Sequence, residues 1–139
     1  MPNTVTLLIV EDDDFDKLSM ERTLKEMRVS NPTRHAKDGI EALEVLRGEN
    51  GQEKLEKPYI IFLDLKMPRM DGHSFLKEVR SDPNLKDATV FIFTSSDKDE
   101  DIKSADIYNV AGFIMKSDMK ESFTEAAESL GLAWNIVVP

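Results

Sequence analysis

The chain has 139 residues, of which 40% are hydrophobic and 32% are charged. This length and composition predict one soluble globular domain, residues 1–139, in which residues 131–139 form a short C-terminal tail. The net charge of −9 excludes nucleic-acid binding through phosphate contacts, and the absence of cysteine excludes disulfides and thiolate metal sites. No apolar stretch approaches the ~20 residues of a membrane span and the N-terminus lacks a basic secretory signal, so a cytoplasmic protein is expected.

Buried strands alternate with amphipathic helices along the first half of the chain. The apolar run Val5–Val10 predicts a first strand, and residues 33–36 predict a short second one, mainly from their position. A helix is predicted after each of these strands. The apolar stripe of the first helix is Met20, Leu24 and Met27, and that of the second is Ile40, Leu43 and Leu46. Residues 48–57 are charged and contain glycine, and they predict an exposed loop.

The same alternation continues through the second half. Further strands are predicted at Tyr59–Leu63, Ala88–Thr94 and Ala111–Met115, and a charged helix with Ile102 and Ala105 inward is predicted to begin at Asp97. Two more helices are marked by the stripes Phe75, Leu76 and Val79, then Met119, Phe123, Ala127 and Leu130. Alternating strands and helices predict an α/β fold, a five-stranded parallel sheet in the flavodoxin-like order 2-1-3-4-5 with helices on both faces.

Polar residues stand at the ends of four of the predicted strands or directly after them: Glu11-Asp12, Asp64, Thr94 and Lys116. Because the strands of a parallel sheet share one carboxyl edge, these residues are expected to converge. Neighbouring carboxylates repel each other, and Mg²⁺ bound to their oxygens would relieve that repulsion. Lys116 and the Thr94 hydroxyl could bind phosphoryl oxygens. The pattern indicates phosphoryl transfer to Asp64.

Each of these residues also has a simpler interpretation. Acids after a first strand often only favour a helix N-terminus, and an aspartate beside a proline is usually a turn residue. Thr94-Ser95-Ser96 is most simply a helix cap, and a lysine at a strand end such as Lys116 is usually solvated. The joint placement of all four groups favours the site. His35 and His73 stand apart in the pattern and are expected to be surface residues.

Four motifs, LLIVEDD, FLDLKMPRMDG, FIFTSS and AGFIMKS, resemble the receiver domains of two-component response regulators in order and spacing. The resemblance implies that Asp64 is phosphorylated by a sensor histidine kinase. It also implies that Glu11 and Asp12 form the acidic pair that holds Mg²⁺. The metal ligands would be the side chains of Asp12 and Asp64 and the backbone carbonyl of Lys66.

By the same resemblance, Thr94 and Lys116 bind the phosphoryl group and Phe113 is the aromatic switch residue. The charged loop at 48–57, the SDPNLK segment and Lys116-Ser117 are similar to the single-domain regulators paired with bacterial phytochrome-type kinases. Most receivers have proline after the lysine, often through a cis bond. Ser117 stands there in this chain, where a cis bond would cost ~3–4 kcal/mol.

The resemblance implies a stand-alone regulator that is a phosphoacceptor rather than an enzyme, limited to self-directed phosphoryl transfer and autodephosphorylation. Its output would be contact with a downstream protein target, or transfer of phosphate to a phosphotransfer protein. The alternative is a phosphate-independent module with the same fold that acts by interaction or dimerisation. A phosphatase is disfavoured, because Leu65-Lys66 places no second carboxylate after Asp64. The tail and the helix from Asp97 could support a homodimer.

Overall fold

A computed structural model describes residues 5–65, 70–94 and 108–130. Its elements are β1 (Thr6–Val10), α1 (Asp14–Glu26), β2 (Thr33–Ala36), α2 (Gly39–Arg47), β3 (Tyr59–Leu63), α3 (Gly72–Ser81), β4 (Thr89–Thr94), β5 (Gly112–Met115), a 3-10 turn (Lys116–Asp118) and α4 (Met119–Leu130). The predicted helix from Asp97 and the tail at 131–139 lie outside the described residues, as do the side chains of Ala127 and Leu130. Within the described ranges, no helix combines the length and apolar character that crossing a bilayer requires.

The five strands form one parallel sheet in the order β2-β1-β3-β4-β5, which confirms the predicted flavodoxin-like fold. Val10, the last residue of β1, pairs with Ala36 on one side and Leu63 on the other. At the other end of the sheet, Thr94 pairs with Met115. This register brings the last residues of all five strands to one edge.

Successive residues of each strand pack against opposite layers of helices. In β1, Leu7 and Ile9 belong to the apolar cluster that includes residues of α1 and α4, whereas Leu8 and Val10 belong to the cluster formed with α2 and α3. Phe62 of β3 lies in the first of these layers. Because both faces of the sheet are buried, the strands appear in the sequence as continuous apolar runs.

Three helices begin at an aspartate that caps them. The carboxylates of Asp13, Asp38 and Asp71 each accept a hydrogen bond from the backbone N–H three residues ahead, at 2.9–3.1 Å. Each cap is worth about 1 kcal/mol, because it satisfies a donor that has no partner within the helix. The starts of α1, α2 and α3 therefore have a physical basis in these side chains.

The structure corrects one expectation about α2 and refines one about the loop after it. The buried face of α2 includes Ala42 and Val45, and Ile40 is only half-buried. The loop at 48–57 is exposed over most of its length, as predicted, but Leu55 is 6% exposed and its N–H donates to the carbonyl of Val45 at 2.9 Å. The loop therefore folds back against α2 and contributes a side chain to the core.

At the sheet edge opposite the polar residues, Arg80 of α3 connects three segments. Its guanidinium donates to the carbonyl oxygens of Lys86, Ala88, Tyr108 and Asn109 at 2.7–3.3 Å. These carbonyls lie before β4 and before β5, so one side chain fixes the entry of both strands.

Candidate functional site

Charged residues follow three strands directly at the carboxyl edge. The N–H of Glu11 donates to the carbonyl of Ala36 at 2.9 Å, and the N–H of Asp64 donates to the carbonyl of Val10 at 3.0 Å. These bonds extend the sheet ladder one residue beyond β1 and β3, and they fix the backbone from which both carboxylates project. Lys116 follows β5 and begins the 3-10 turn.

The acidic side chains of Glu11, Asp12 and Asp64 form a cluster in which one oxygen from each lies within 4.8 Å of the others. Glu11 is 0% and Asp64 6% exposed, whereas Asp12 is open to solvent. Carboxylate oxygens of this kind suit a hard divalent cation, which would enter from the side of Asp12. The structure therefore brings together the three carboxylates that the sequence singled out.

The Lys116 ammonium lies among carboxylates from three elements. Its Nζ is 2.6 Å from Oε1 of Glu11, 2.8 Å from Oδ2 of Asp16 and 3.4 Å from Oδ2 of Asp64. The side chain is 11% exposed, and its Nζ lies 5.0 Å from the centre of the Phe93 ring. Lys116 is therefore held in place from several directions rather than solvated.

Burial raises the pKa of Glu11 to about 8, and Asp64 adds to this rise while Lys116 opposes it. Burial by itself would lower the pKa of Lys116, but the carboxylates of Asp16, Glu11 and Asp64 outweigh it and the pKa is raised. Oε1 of Glu11 has no aligned hydrogen-bond donor among the described residues despite its closeness to Lys116. Burial and Asp64 therefore favour the protonated form of Glu11, whereas Lys116 or a bound cation favours the charged form.

Asp16 is a site residue that the sequence reasoning missed. In the sequence it stands among the acids at the start of α1, whose general role is to favour the helix N-terminus. Its carboxylate instead accepts a hydrogen bond from Lys116 across 100 positions of sequence. No local sequence signal distinguishes it from Asp14, and only the folded arrangement reveals the contact.

His35 is a half-buried residue of β2, so the expectation of a surface histidine is wrong for it. Its Nε2 lies 2.7 Å from the carbonyl oxygen of Glu11, and because a carbonyl only accepts, Nε2 carries the proton. His35 therefore holds the backbone at the start of the acidic pair. His73 is half-buried as well.

The turn after Asp64 depends on a glycine in α3. The N–H of Gly72 donates to the carbonyl of Leu65 at 3.0 Å. A Cβ at position 72 would lie 2.6 Å from the Cα of Leu65 and 2.8 Å from the carbonyl oxygen of Asp64. This close approach of backbone requires glycine, and it sets the position of the segment that carries Asp64.

The remaining predicted site residues are placed less completely. Thr94 ends β4 beside Met115, but its side chain lies outside the described part, as does Lys66 altogether. Phe113 pairs with Ile92 and is half-buried against the cluster formed with α2 and α3. The peptide bond between Lys116 and Ser117 is trans, so the strained cis bond considered from the sequence does not occur.

The sequence is similar to known proteins over most of its length. Residues 7–128 match the family model described as "Response regulator receiver domain". Response regulator Rcp1 of Synechocystis sp. is 29% identical over 118 residues, which are 84% of this chain and 80% of that protein.

The fold is similar to solved structures. The bacteriophytochrome response regulator AtBRR has a TM-score of 0.86 at 28% identity, with 99% of this chain and 100% of that chain covered. The Mn²⁺-bound form of Rcp1 has a TM-score of 0.77 at 26% identity, with coverage of 97% and 99%. The phosphorylated cyanobacterial phytochrome response regulator RcpA has a TM-score of 0.76 at 28% identity, with 91% of each chain covered.

Proposed function

The chain belongs to the response regulator receiver domain family of two-component signalling proteins, and on that premise we propose that Asp64 accepts a phosphoryl group from a histidine kinase. The observation that carries the proposal is the convergence of Glu11, Asp12, Asp64 and Lys116 from three strand ends at one edge of the sheet. An isolated aspartate in a turn would need neither the other carboxylates nor a buried lysine.

In the proposed step, an oxygen of Asp64 forms a bond to phosphorus while the bond from phosphorus to the kinase histidine nitrogen breaks. The backbone of Asp64 is held by the hydrogen bond from its N–H to the carbonyl of Val10, so the carboxylate projects from a fixed position at the strand end. Lys116, at 3.4 Å from Asp64, is close enough to donate to a phosphoryl oxygen there. Catalysis in this reading consists of positioning and charge neutralisation.

The donor set also supports a magnesium site. Asp12 and Asp64 would hold the ion through their side chains and Lys66 through its carbonyl, with Glu11 behind them. Glu11 fits this role because its buried Oε1 lacks an aligned donor and its pKa is raised, as expected for an oxygen that would gain from another cation. When bound, Mg²⁺ would relieve carboxylate repulsion and neutralise phosphoryl oxygens.

We further propose that phosphorylation switches a protein-interaction face through Thr94 and Phe113. Thr94 would donate to a phosphoryl oxygen and Phe113 would turn inward. The half-buried position of Phe113, next to β4 in the sheet, supports this, because the ring has neither a fully packed nor a fully exposed setting. Such an element with two arrangements can be biased by a local charge.

The proposed partner is a phytochrome-type histidine kinase, because the relatives Rcp1, AtBRR and RcpA include proteins described as phytochrome response regulators. The output would be a downstream protein or a phosphotransfer protein, and a homodimer could form. This exchange would place the protein in the cytoplasm with the kinase domain.

Phosphorylation can be tested with acetyl phosphate and Mg²⁺, followed by mass spectrometry of the intact protein. The wild type and the control Asp14→Asn should gain the mass of one phosphoryl group, and Asp64→Asn should not. Transfer from a panel of labelled kinases would then identify the partner. Equal labelling of wild type and Asp64→Asn would refute the assignment, and no labelling with an unchanged oligomeric state in both would favour the phosphate-independent module.

A further inference from the structure

We propose that Asp16 is a positioning residue that competes with the phosphoryl group for Lys116, and so sets how firmly the phosphorylated state is held. This inference rests on the proposed function, because it concerns the same lysine. It assigns to an acid of α1 a role that its sequence position does not reveal.

The distances favour Asp16 over Asp64 as the partner of Lys116. The Nζ–Oδ2 distance is 2.8 Å to Asp16 and 3.4 Å to Asp64. The Asp16 side chain is 27% exposed and Lys116 11% exposed, so the pair is shielded from solvent on the lysine side. Before phosphorylation, the ammonium is therefore held more closely by Asp16 than by the phosphoacceptor.

Local geometry explains why Asp16 is free for this contact. Asp16 occupies the third position of α1, where an acid commonly turns back to the N–H of the capping residue. Here the capping residue is Asp13, and its N–H already donates to Oε2 of Glu11 at 3.2 Å. The carboxylate of Asp16 points instead to Lys116, while only its backbone N–H takes part in the cap.

A phosphoryl group on Asp64 changes this balance. It places additional charge and acceptor oxygens on the side of Lys116 where the present contact is long. Lys116 must then share its three protons between those oxygens, Asp16 and Glu11. Because Asp16 is an anion, each gain in contact with the phosphoryl group is partly offset by a weaker contact with Asp16.

The simpler interpretation is that Asp16 only interacts favourably with the N-terminus of α1. Asp14 lies in the same first turn, carries the same charge and is exposed, so it shares this role without the contact to Lys116. Neutralising either acid would then have the same small effect on helix stability. A difference between the two variants therefore isolates the interaction with Lys116.

The test is the affinity for beryllofluoride, a phosphoryl analogue, at saturating Mg²⁺ for wild type, Asp16→Asn and the matched control Asp14→Asn. The expected result is about two- to fivefold tighter binding by Asp16→Asn, the range that a partly exposed ion pair is worth, and less than about 1.5-fold change in Asp14→Asn. Asp16→Ser, which is too short to reach Lys116, should shift the affinity in the same direction. A general loss of structure would weaken binding rather than tighten it.

Three results would overturn the proposal. Unchanged or weaker binding by Asp16→Asn and Asp16→Ser would show that Asp16 does not compete for Lys116. Equal tightening by Asp14→Asn would show that the effect comes from net charge alone. Failure of the wild type to bind beryllofluoride would refute the proposed function, and with it this inference, whereas wild-type binding with no difference between variants would refute the inference only.

Discussion

Replacing Lys116 with methionine should destabilise the protein in the absence of divalent cations. The substitution keeps the aliphatic stem but removes the ammonium that lies 2.6–3.4 Å from Glu11, Asp16 and Asp64. Breaking a buried charge pair by removing one partner costs about 3–5 kcal/mol. Asp16 is partly exposed and Glu11 in the variant can keep its proton to higher pH, so we expect a smaller loss of about 2 kcal/mol at pH 9.

The loss should depend on pH in a defined direction. Lys116 opposes the raised pKa of Glu11, so its removal lets that pKa rise further above the value of the unfolded chain. Near pH 6 Glu11 is protonated in both folded proteins, so their stabilities respond to pH alike. Above about pH 8 the folded wild type has released this proton while the folded variant still binds it, so the stability of the variant falls faster as pH rises. We therefore expect a small loss at pH 6 and a larger one at pH 9.

Urea denaturation with a metal chelator present would measure both effects, and a loss of about 2 kcal/mol corresponds to a melting temperature lower by about 6–8 °C. The matched control is Lys120→Met, which removes an exposed lysine 3.9 Å from Glu26 and should change stability by less than about 0.5 kcal/mol. Added Mg²⁺ should restore more stability to the Lys116 variant than to wild type. A loss that is equal at pH 6 and pH 9, or absent at both, would show that the ammonium does not neutralise these carboxylates.

Other substitutions and titrations give further expected outcomes. Gly72→Ala should lower the free energy of unfolding by about 2 kcal/mol in urea titrations despite the better helix propensity of alanine, because the new Cβ would meet the backbone at Leu65; an unchanged midpoint would contradict this. Phe62→Ala should cost about 3–5 kcal/mol, because the ring is 1% exposed and stacks on Phe91 at 5.8 Å; thermal unfolding would measure it, and a loss under 1 kcal/mol would argue against the described packing. Mg²⁺ binding at pH 7 should release about one proton, because the pKa of Glu11 is raised to about 8; calorimetry in buffers of different ionisation enthalpy should detect it in wild type and not in Glu11→Gln.

The sheet and the convergence of charged residues could be predicted from two rules, one for the sequence of buried strands and one for the pairing of parallel strands. Strands buried on both faces give unbroken apolar runs, as at Tyr59–Leu63, which the structure reproduces to the residue. Parallel pairing then leaves no freedom about which edge receives Glu11, Asp64 and Lys116. The prediction needed the order of the elements and the sign of the charges, and no side-chain detail.

What escaped prediction depends on side-chain reach and helix phase. Asp16 and His35 each make their contact through a side chain that crosses to another element, and several acids near Asp16 would serve the helix equally well. Ile40 fitted the apolar stripe of α2 but stands in its first turn, where the neighbouring elements cover it only partly. Leu55 was hidden in a charged segment, where a single apolar residue gives no periodicity to detect.

The guanidinium of Arg80 has a mechanical consequence for β5. Tyr108 and Asn109, just before this strand, are anchored through their carbonyl oxygens, while Lys116 lies just after its other end among the carboxylates of Glu11, Asp16 and Asp64. Arginine stays protonated throughout the ordinary pH range, so this anchor does not depend on the charge at the opposite edge. Movement of the ammonium is therefore expected to tilt or rotate β5 about its anchored end rather than to slide the strand along its axis. Phe113, the second residue of β5, would move with the strand.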